Sequence, residues 1–484
     1  MKVALIGMGA SAFGSFLALE EFGQKIESID IFTKKRSSIK RKYIYKNSRI
    51  NDFYRSLKSK SLIPPKINIQ SGDSDTDEIF RERFEAMNLW GASLLPYSKK
   101  ALSKNRLSYD EFMVAYTNIG KHLSISGDKK DQIEKLFKLT YINENKITID
   151  HNISGLVKLL SLHNNDFKIF SGVARVALKH TFKKSVKNSV GRICQCSTNN
   201  CQFHDIFLEP DIEKHFLKSD LRTKIFYTEV EKVDLDQASL SYIDKKTLKL
   251  NKTQYDLIFI CTGPKETIKL IQRSTKINNF NISDSKSYLF PIFATNFNIF
   301  RKNIESFSLT NAISVIESIE NNEQYFVQIY KVSEDLWKAF LPFVFWPLIS
   351  FFRNFIYFGV LYLDNQDRVD YEVNFTEDAL DVNKVSKDSK KKVRLILSTL
   401  SGLLKKQFLM FSNLYFEKRT SHHFGRLLVN GSYLQDWHTK YNSPKIVFNG
   451  ANNFKKLPSS SPTFTVMAEG YVNVKKLIAS RESG

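Results

Sequence analysis

Cysteine is scarce, at four in 484 residues. So few thiols exclude a disulfide-stapled scaffold and fit a reducing compartment. Glycine (19) and proline (11) are also thin, in keeping with the exclusion of collagen-like repeats. Acidic residues are outnumbered, 50 against 72 Lys and Arg, leaving a net charge of +22. That excess suits a nucleic acid, an anionic membrane surface or an anionic substrate. A base-composition bias that raises Phe to 39 would raise Lys too, so charge alone decides nothing. No P-loop, His-Glu-x-x-His or ordered Ser, His and Asp triad is present. The aromatics do not interleave with basic residues as an RNA-binding sheet requires, which argues against nucleic acid. With 42% hydrophobic and 25% charged residues, this is a globular composition. At roughly 100–200 residues per domain, the length accommodates two to four of them.

What is present begins at the first residue. Met1 to Gly14 has one lysine, an apolar stretch and small residues, as a signal peptide would. Gly7 and Gly9 interrupt that stretch, however, and Glu20 and Glu21 follow it. A strand over Val3 to Ile6, a glycine turn, a helix over Ala10 to Phe22 and a strand over Ser28 to Phe32 fit better. This is the βαβ opening of a dinucleotide-binding fold. Gly7 permits the turn, Gly9 lets backbone approach a pyrophosphate, Ser11 sits in the same turn, and Ala12 is the third small residue. The end of the second strand should carry an acid for the ribose. Thr33 stands there, followed by Lys34, Lys35 and Arg36. Two readings stay open: a basic site for the 2′-phosphate of NADP, or a solvated loop.

Further along, Tyr255 to Pro264 reads as a buried strand ending in Thr262 and Gly263. Lys224 to Leu235, with Val230 in it, and Ser239 to Leu250 alternate as strands. Lys445 to Phe454 reads as strand and loop, and a helix begins near Pro462 and Thr463, with proline favourable in its first turn. Cys194, Cys196, Cys201 and His204 lack a standard zinc spacing and read as reduced thiols rather than a metal site. Cys261 lies on a buried strand and should pack as a small apolar residue.

The most unusual stretch is Ala339 to Phe352, uncharged, followed after Arg353 and Asn354 by apolar Phe355 to Leu363. Pro342, Pro347 and Arg353 disfavour an uninterrupted span. Two readings survive. One is buried core; the other is a monotopic insertion with Trp337, Trp346 and Tyr357 near the headgroups. Val393, Ile396, Leu397, Leu400, Leu403, Leu404, Phe408 and Phe411 recur at helical spacing with lysines at the ends. That basic amphipathic pattern supports the second reading, although a core helix would show the same stripe.

Four patches together resemble the glucose–methanol–choline (GMC) oxidoreductases, FAD enzymes. They are Gly7, Gly9 and Ala12; Asn88, Trp90, Gly91 and Ala92; Cys261, Thr262 and Gly263; and Asn449, Gly450, Ala451 with Ser461, Pro462, Thr463, Thr465, Met467 and Ala468. A chain of this family is expected to be α/β. A discontinuous Rossmann-like FAD-binding domain (1–95, 205–272 and 440–484) would carry an α+β substrate domain on a mixed or antiparallel sheet (96–204 and 273–439). Within it, 336–363 is a candidate membrane-contacting segment. The resemblance implies FAD as cofactor, bound by Gly7, Gly9, Ser11, Ala12, Thr33, Asn88, Trp90, Gly91, Val230, Thr262, Gly263, Gly450, Ala451, Pro462 and Thr463. It implies oxidation of a CH–OH group with hydride passing to flavin N5. Within Ser421, His422, His423, Phe424 and Gly425, the family's catalytic histidine maps onto His422, as base. The second catalytic position maps onto Ser461, which can orient a substrate oxygen but is a poor proton acceptor. Phe84 to Met87 replace the family's glycine-rich run and Thr33 its ribose acid. The expected partners are a small-molecule or lipid-linked alcohol, an electron acceptor that the sequence does not identify, and an anionic membrane surface. The expected location is cytoplasmic, peripheral at the inner face of the membrane. The alternatives are an NADP(H)-using flavoprotein and a non-catalytic membrane-associated protein that keeps the fold.

Overall fold

The computed structural model describes residues 1–34, 93–123, 125–139, 149, 151–161, 166–177, 209–244, 247–295, 310–331, 355–375, 380–418, 423–439 and 445–482. The first strand, β1 (Lys2–Ile6), is buried from Val3 onward. It reads as a continuous apolar run because both of its faces are covered, as in a parallel sheet with helices above and below. Its neighbours come from distant parts of the chain. β1 pairs in parallel with β2 (Ser28–Phe32) on one side and with β4 (Leu257–Ile260) on the other. β3 (Thr223–Phe226) extends the sheet beyond β2, and β5 (Ile446–Phe448) closes it beyond β4. The order is β5-β4-β1-β2-β3, every pair parallel. Val230 falls outside this sheet. It opens the strand Val230–Asp234 of a separate three-stranded antiparallel sheet with Ser239–Ile243 and Leu250–Gln254.

Helix α1 (Ala10–Glu21) follows β1, α2 (Pro264–Thr275) follows β4, and α3 (Thr463–Glu482) ends the chain. α1 and α3 pack closely because glycines stand at their crossing. A Cβ added to Gly14 would lie 1.8 Å from the Met467 carbonyl oxygen, and one added to Gly470 would lie 2.5 Å from that of Ser11. The weakly amphipathic sequence of both helices reflects burial on nearly all sides.

Among the described residues, the rest of the chain adds two larger antiparallel sheets and a two-stranded pair of Ile125–Ser126 with Val176–Ala177. The larger has seven strands; Ile356–Tyr362 lies between Ser287–Ala294 and Gln324–Lys331, and Thr310–Ser318 and Phe167–Val173 continue it. Period-two alternation divides its side chains. Ile169, Ile316, Val327, Tyr357 and Leu361 cluster with the helices His151–Leu160 and Lys390–Leu404. Ile313, Val315, Phe326, Val360 and Tyr362 join the core that contains α1 and α3. One face of this sheet is thus turned toward the parallel-sheet side. The second antiparallel sheet includes Asn279–Asp284 and Gly425–Val429. The mixed architecture expected from the sequence is the one observed.

Two expectations need correction. Phe355 to Leu363 does not face lipid: it contains the strand Ile356–Tyr362, and Tyr357, assigned to the headgroups, is fully buried. The apolar stripe of Lys390–Leu404 is likewise core, with Val393, Ile396, Leu397, Leu400 and Leu404 buried. Periodicity alone cannot say which apolar surface a stripe meets. Residues 332–354, with the rest of the apolar run, lie outside the described residues. Among the described residues no helix is long and apolar enough to cross a membrane, and none of their side-chain clusters could hold a metal ion.

Candidate functional site

The turn between β1 and α1 is held by backbone. Gly7 has φ +107°, a region that favours glycine, and its N–H donates to the Phe32 carbonyl at 2.8 Å. A Cβ there would stand 2.9 Å from the Cys261 carbonyl oxygen, so only glycine lets the β1 turn approach the end of β4. Gly9 caps α1 without a side-chain hydrogen bond, and a Cβ on it would meet nothing within 4 Å. Gly263 caps α2 in the same way and is equally open. Neither cap carries a side chain that would occupy the space beside it, where a bound group could approach the start of α1 or α2. Ser11 is buried, and its Oγ has no hydrogen-bond partner among the described residues. Open glycine caps and an unsatisfied buried hydroxyl at one helix N-terminus are the features a phosphate-bearing nucleotide would complete.

The C-terminal turn comes to the same place. Gly450 has φ +96°, and a Cβ there would lie 3.3 Å from the Ser11 Cβ. Asn449 Nδ2 donates to Ser15 Oγ at 2.9 Å, and Ser15 Oγ donates to the Ser11 carbonyl at 2.9 Å. Asn452 Nδ2 reaches both the Thr262 carbonyl and Thr267 Oγ1 at 3.1 Å. Thus the turn after β5 is tied to α1, to the end of β4 and to α2. Glu469 of α3, almost fully buried, accepts the Gly450 N–H and accepts from Asn453 Nδ2 and Asn473 Nδ2, both at 2.6 Å. Burial pushes its carboxyl up to about 7, against the opposing pull of its hydrogen-bond donors. Cys261 is buried beside this turn, and burial pushes its thiol up to about 12, so it packs as a neutral group.

The facing sheet supplies the opposite wall. The His423 ring stacks on Tyr362 with centroids 5.0 Å apart, and the His423 backbone N–H donates to Asp284 Oδ1 at 2.9 Å. Burial, and then the nearby Lys418 charge, hold His423 down at about 3. Lys418 lies 5.9 Å over the Tyr362 ring, and desolvation lowers it to about 8. Two residues past His423, a Cβ on Gly425 would meet the Ala451 carbonyl oxygen at 2.8 Å. The segment that follows the histidine pair therefore runs against the C-terminal turn.

No protein-family model matches the chain, and no curated protein matches it in sequence. Solved structures do match over nearly the whole length. The Aspergillus oryzae formate oxidase, in a study of FAD modification, gives a TM-score of 0.55 at 9% identity, covering 99% of this chain and 98% of that one. A fungal aryl-alcohol oxidase gives 0.52 at 8% identity, covering 99% of each chain. The fold is that of the GMC oxidoreductases.

On the GMC fold, Gly7, Gly9, Ser11 and Ala12, then Thr262 and Gly263, then Gly450 and Ala451 come together around the start of α1. Ser461, buried, and Pro462 lead into Thr463, the first residue of α3, and the Val466 N–H donates to the Pro462 carbonyl at 2.8 Å. Thr33 directly follows β2, its N–H donating to the Phe226 carbonyl at 2.9 Å. Val230 is placed apart, in the separate three-stranded sheet, its carbonyl accepting from Arg273 at 3.2 Å. His422, Asn88, Trp90, Gly91 and the cluster of Cys194, Cys196, Cys201 and His204 lie outside the described residues. The sequence reading missed Ser15, Thr267, Asn453 and Glu469. A buried Glu in a helix directly after an apolar Val-Met-Ala run was the one signal available for the last. The others are ordinary polar residues until the fold brings them together.

Proposed function

We propose that the chain is an FAD-dependent oxidoreductase acting on a CH–OH group. The observation that carries this reading is the meeting of chain ends at α1: Gly450 beside Ser11, and Gly7 against Cys261. Gly7, Gly9, Ser11 and Gly263 would hold the phosphates and Gly450 and Ala451 the flavin side, and bound FAD would supply the hydride acceptor. His422 takes the hydroxyl proton and Ser461 orients the oxygen; both roles rest on the family resemblance. The support for His422 is indirect, in that its neighbours His423 and Gly425 lie between the C-terminal turn and the sheet.

The NADP reading is weakened at one residue: Lys34 pairs with Glu266 at 2.6 Å and with Glu229 at 3.3 Å, whereas Lys35 and Arg36 lie outside the described residues. A lipid or lipid-linked alcohol, delivered at the membrane surface, remains the proposed substrate class through residues 339–352 alone. Liposome flotation of the full chain tests it; no co-flotation with anionic vesicles removes it. The enzyme reading is tested by the visible spectrum of the purified protein before and after adding candidate alcohols. A flavin spectrum bleached by an alcohol in wild type, and unbleached in His422→Ala with flavin still bound, is the expected result. A colourless protein that takes up no FAD refutes it.

A further inference from the structure

Glu469 is a buried carboxyl to which the proposed chemistry gives no task. Its two oxygens receive three N–H groups: the backbone of Gly450 and the side-chain amides of Asn453 and Asn473. None of the three can readily be turned round. The Gly450 donor is main chain. Asn453 Nδ2 also donates to the Phe448 carbonyl, and Asn473 Nδ2 also donates to Asn449 Oδ1 at 3.0 Å. Rotating either amide to offer its oxygen would therefore break a second hydrogen bond. The arrangement suits a carboxylate, which only accepts, and conflicts with a protonated acid, which must donate once. What it holds is Gly450, whose left-handed backbone packs against Ser11 at the start of α1.

We propose that Glu469 is a positioning residue that clamps the Gly450 turn in its cofactor-receiving shape only while ionised, so that FAD retention depends on its charge. This rests on the FAD reading above. The turn couples to α1 through the Gly450–Ser11 packing and through Asn449, which reaches Ser15. Protonation adds an O–H to which none of these three donors offers an acceptor, weakens the charge-assisted bonds they make, and frees the turn to shift. Because burial has raised this carboxyl to about 7, the change falls near neutral pH. The groups facing Glu469 are the Gly450 N–H and Asn453 of the turn, Asn473 of α3 and Cys261 after β4. Among the described residues Cys261 is the titratable one of these, and its thiol stays protonated throughout that range.

The experiment is titration of the full-length apoprotein with FAD, followed by flavin fluorescence, from pH 6 to 8.5. For wild type, affinity should fall about tenfold as pH drops through 7. Glu469→Gln, which places an N–H against those donors at every pH, should bind about ten- to hundred-fold more weakly at pH 8 and show no step. Asn473→Ala, which keeps the carboxylate and the Gly450 contact, should bind less weakly and retain the step. It decides the matter if Glu469→Gln fails to fold by circular dichroism. A wild-type chain that takes up no FAD refutes the functional reading. FAD bound with a pH-independent constant in wild type, equal affinity in wild type and Glu469→Gln, or loss of the step in Asn473→Ala refutes the clamp alone.

Discussion

Gly14 offers a test in which the usual rule for helices should reverse. Replacing a helical glycine by alanine ordinarily stabilises by about 1 kcal/mol, because alanine loses less backbone entropy. In α1 the added methyl would lie 1.8 Å from the Met467 carbonyl oxygen, about 1.6 Å short of ordinary van der Waals contact at 3.4 Å. The obstacle is the backbone of α3, which no rotamer change can move. Overpacking costs about 1–3 kcal/mol even where side chains can adjust, so the cost here should fall at or beyond the upper end. The expected net effect of Gly14→Ala is a loss of about 2 kcal/mol. Gly402 is the control. It sits near the end of the helix Lys390–Leu404, exposed, with nothing within 4 Å of an added Cβ. Gly402→Ala should therefore stabilise by about 0.5–1 kcal/mol. Urea denaturation of both variants, read by circular dichroism against wild type, gives the two signs directly. Gly14→Ala matching or exceeding wild type would show that the α1–α3 contact is not as tight as described, and the geometry of the Gly450 turn would be undermined with it.

Two further outcomes follow from buried charge. Arg175, fully buried, meets Asp131 at 2.6 and 2.8 Å, and Glu134 lies 3.6 Å away. Arg175→Met should cost about 3–5 kcal/mol by leaving those carboxylates unpaired, and Asp131→Asn in the same chain should recover part of the loss; a neutral single variant in urea denaturation would contradict this. His423 is held at about 3 in the fold against an ordinary value of 6.5. The unfolded chain then binds more protons between those values, so stability falls as pH drops through 6.5. His423→Gln should flatten that acid-side decline in melting temperature measured from pH 7 to 4.5, and an unchanged slope would argue that the ring is solvated.

How legible the site was depended on whether the signal was local. The turn of Gly7 and Gly9 could be read from eight residues, because a strand, two glycines and a helix are all encoded within one stretch of chain. The helix start after Pro462 was similarly local. The function of Asn452, by contrast, exists only because Thr262 lies beside it, 190 positions earlier in sequence. The apolar run through Tyr357 was read partly toward a membrane because hydrophobicity reports a wish to leave water and not the surface that receives it. The stripe of Lys390–Leu404 failed as evidence for the same reason.

By itself the amino-acid order determined which short segments become strands, turns and helices, and that a nucleotide-binding opening stands at the N-terminus. Backbone conformation and local periodicity are properties of neighbouring residues. Tertiary structure decided that β4 pairs with β1 and β5 with β4, that Lys34 is spent on Glu266 and Glu229, and that Glu469 faces three N–H donors. These are matters of which distant groups share a dry interior. There a charge or hydrogen bond is worth far more than in water, and no one stretch of chain specifies its own partners.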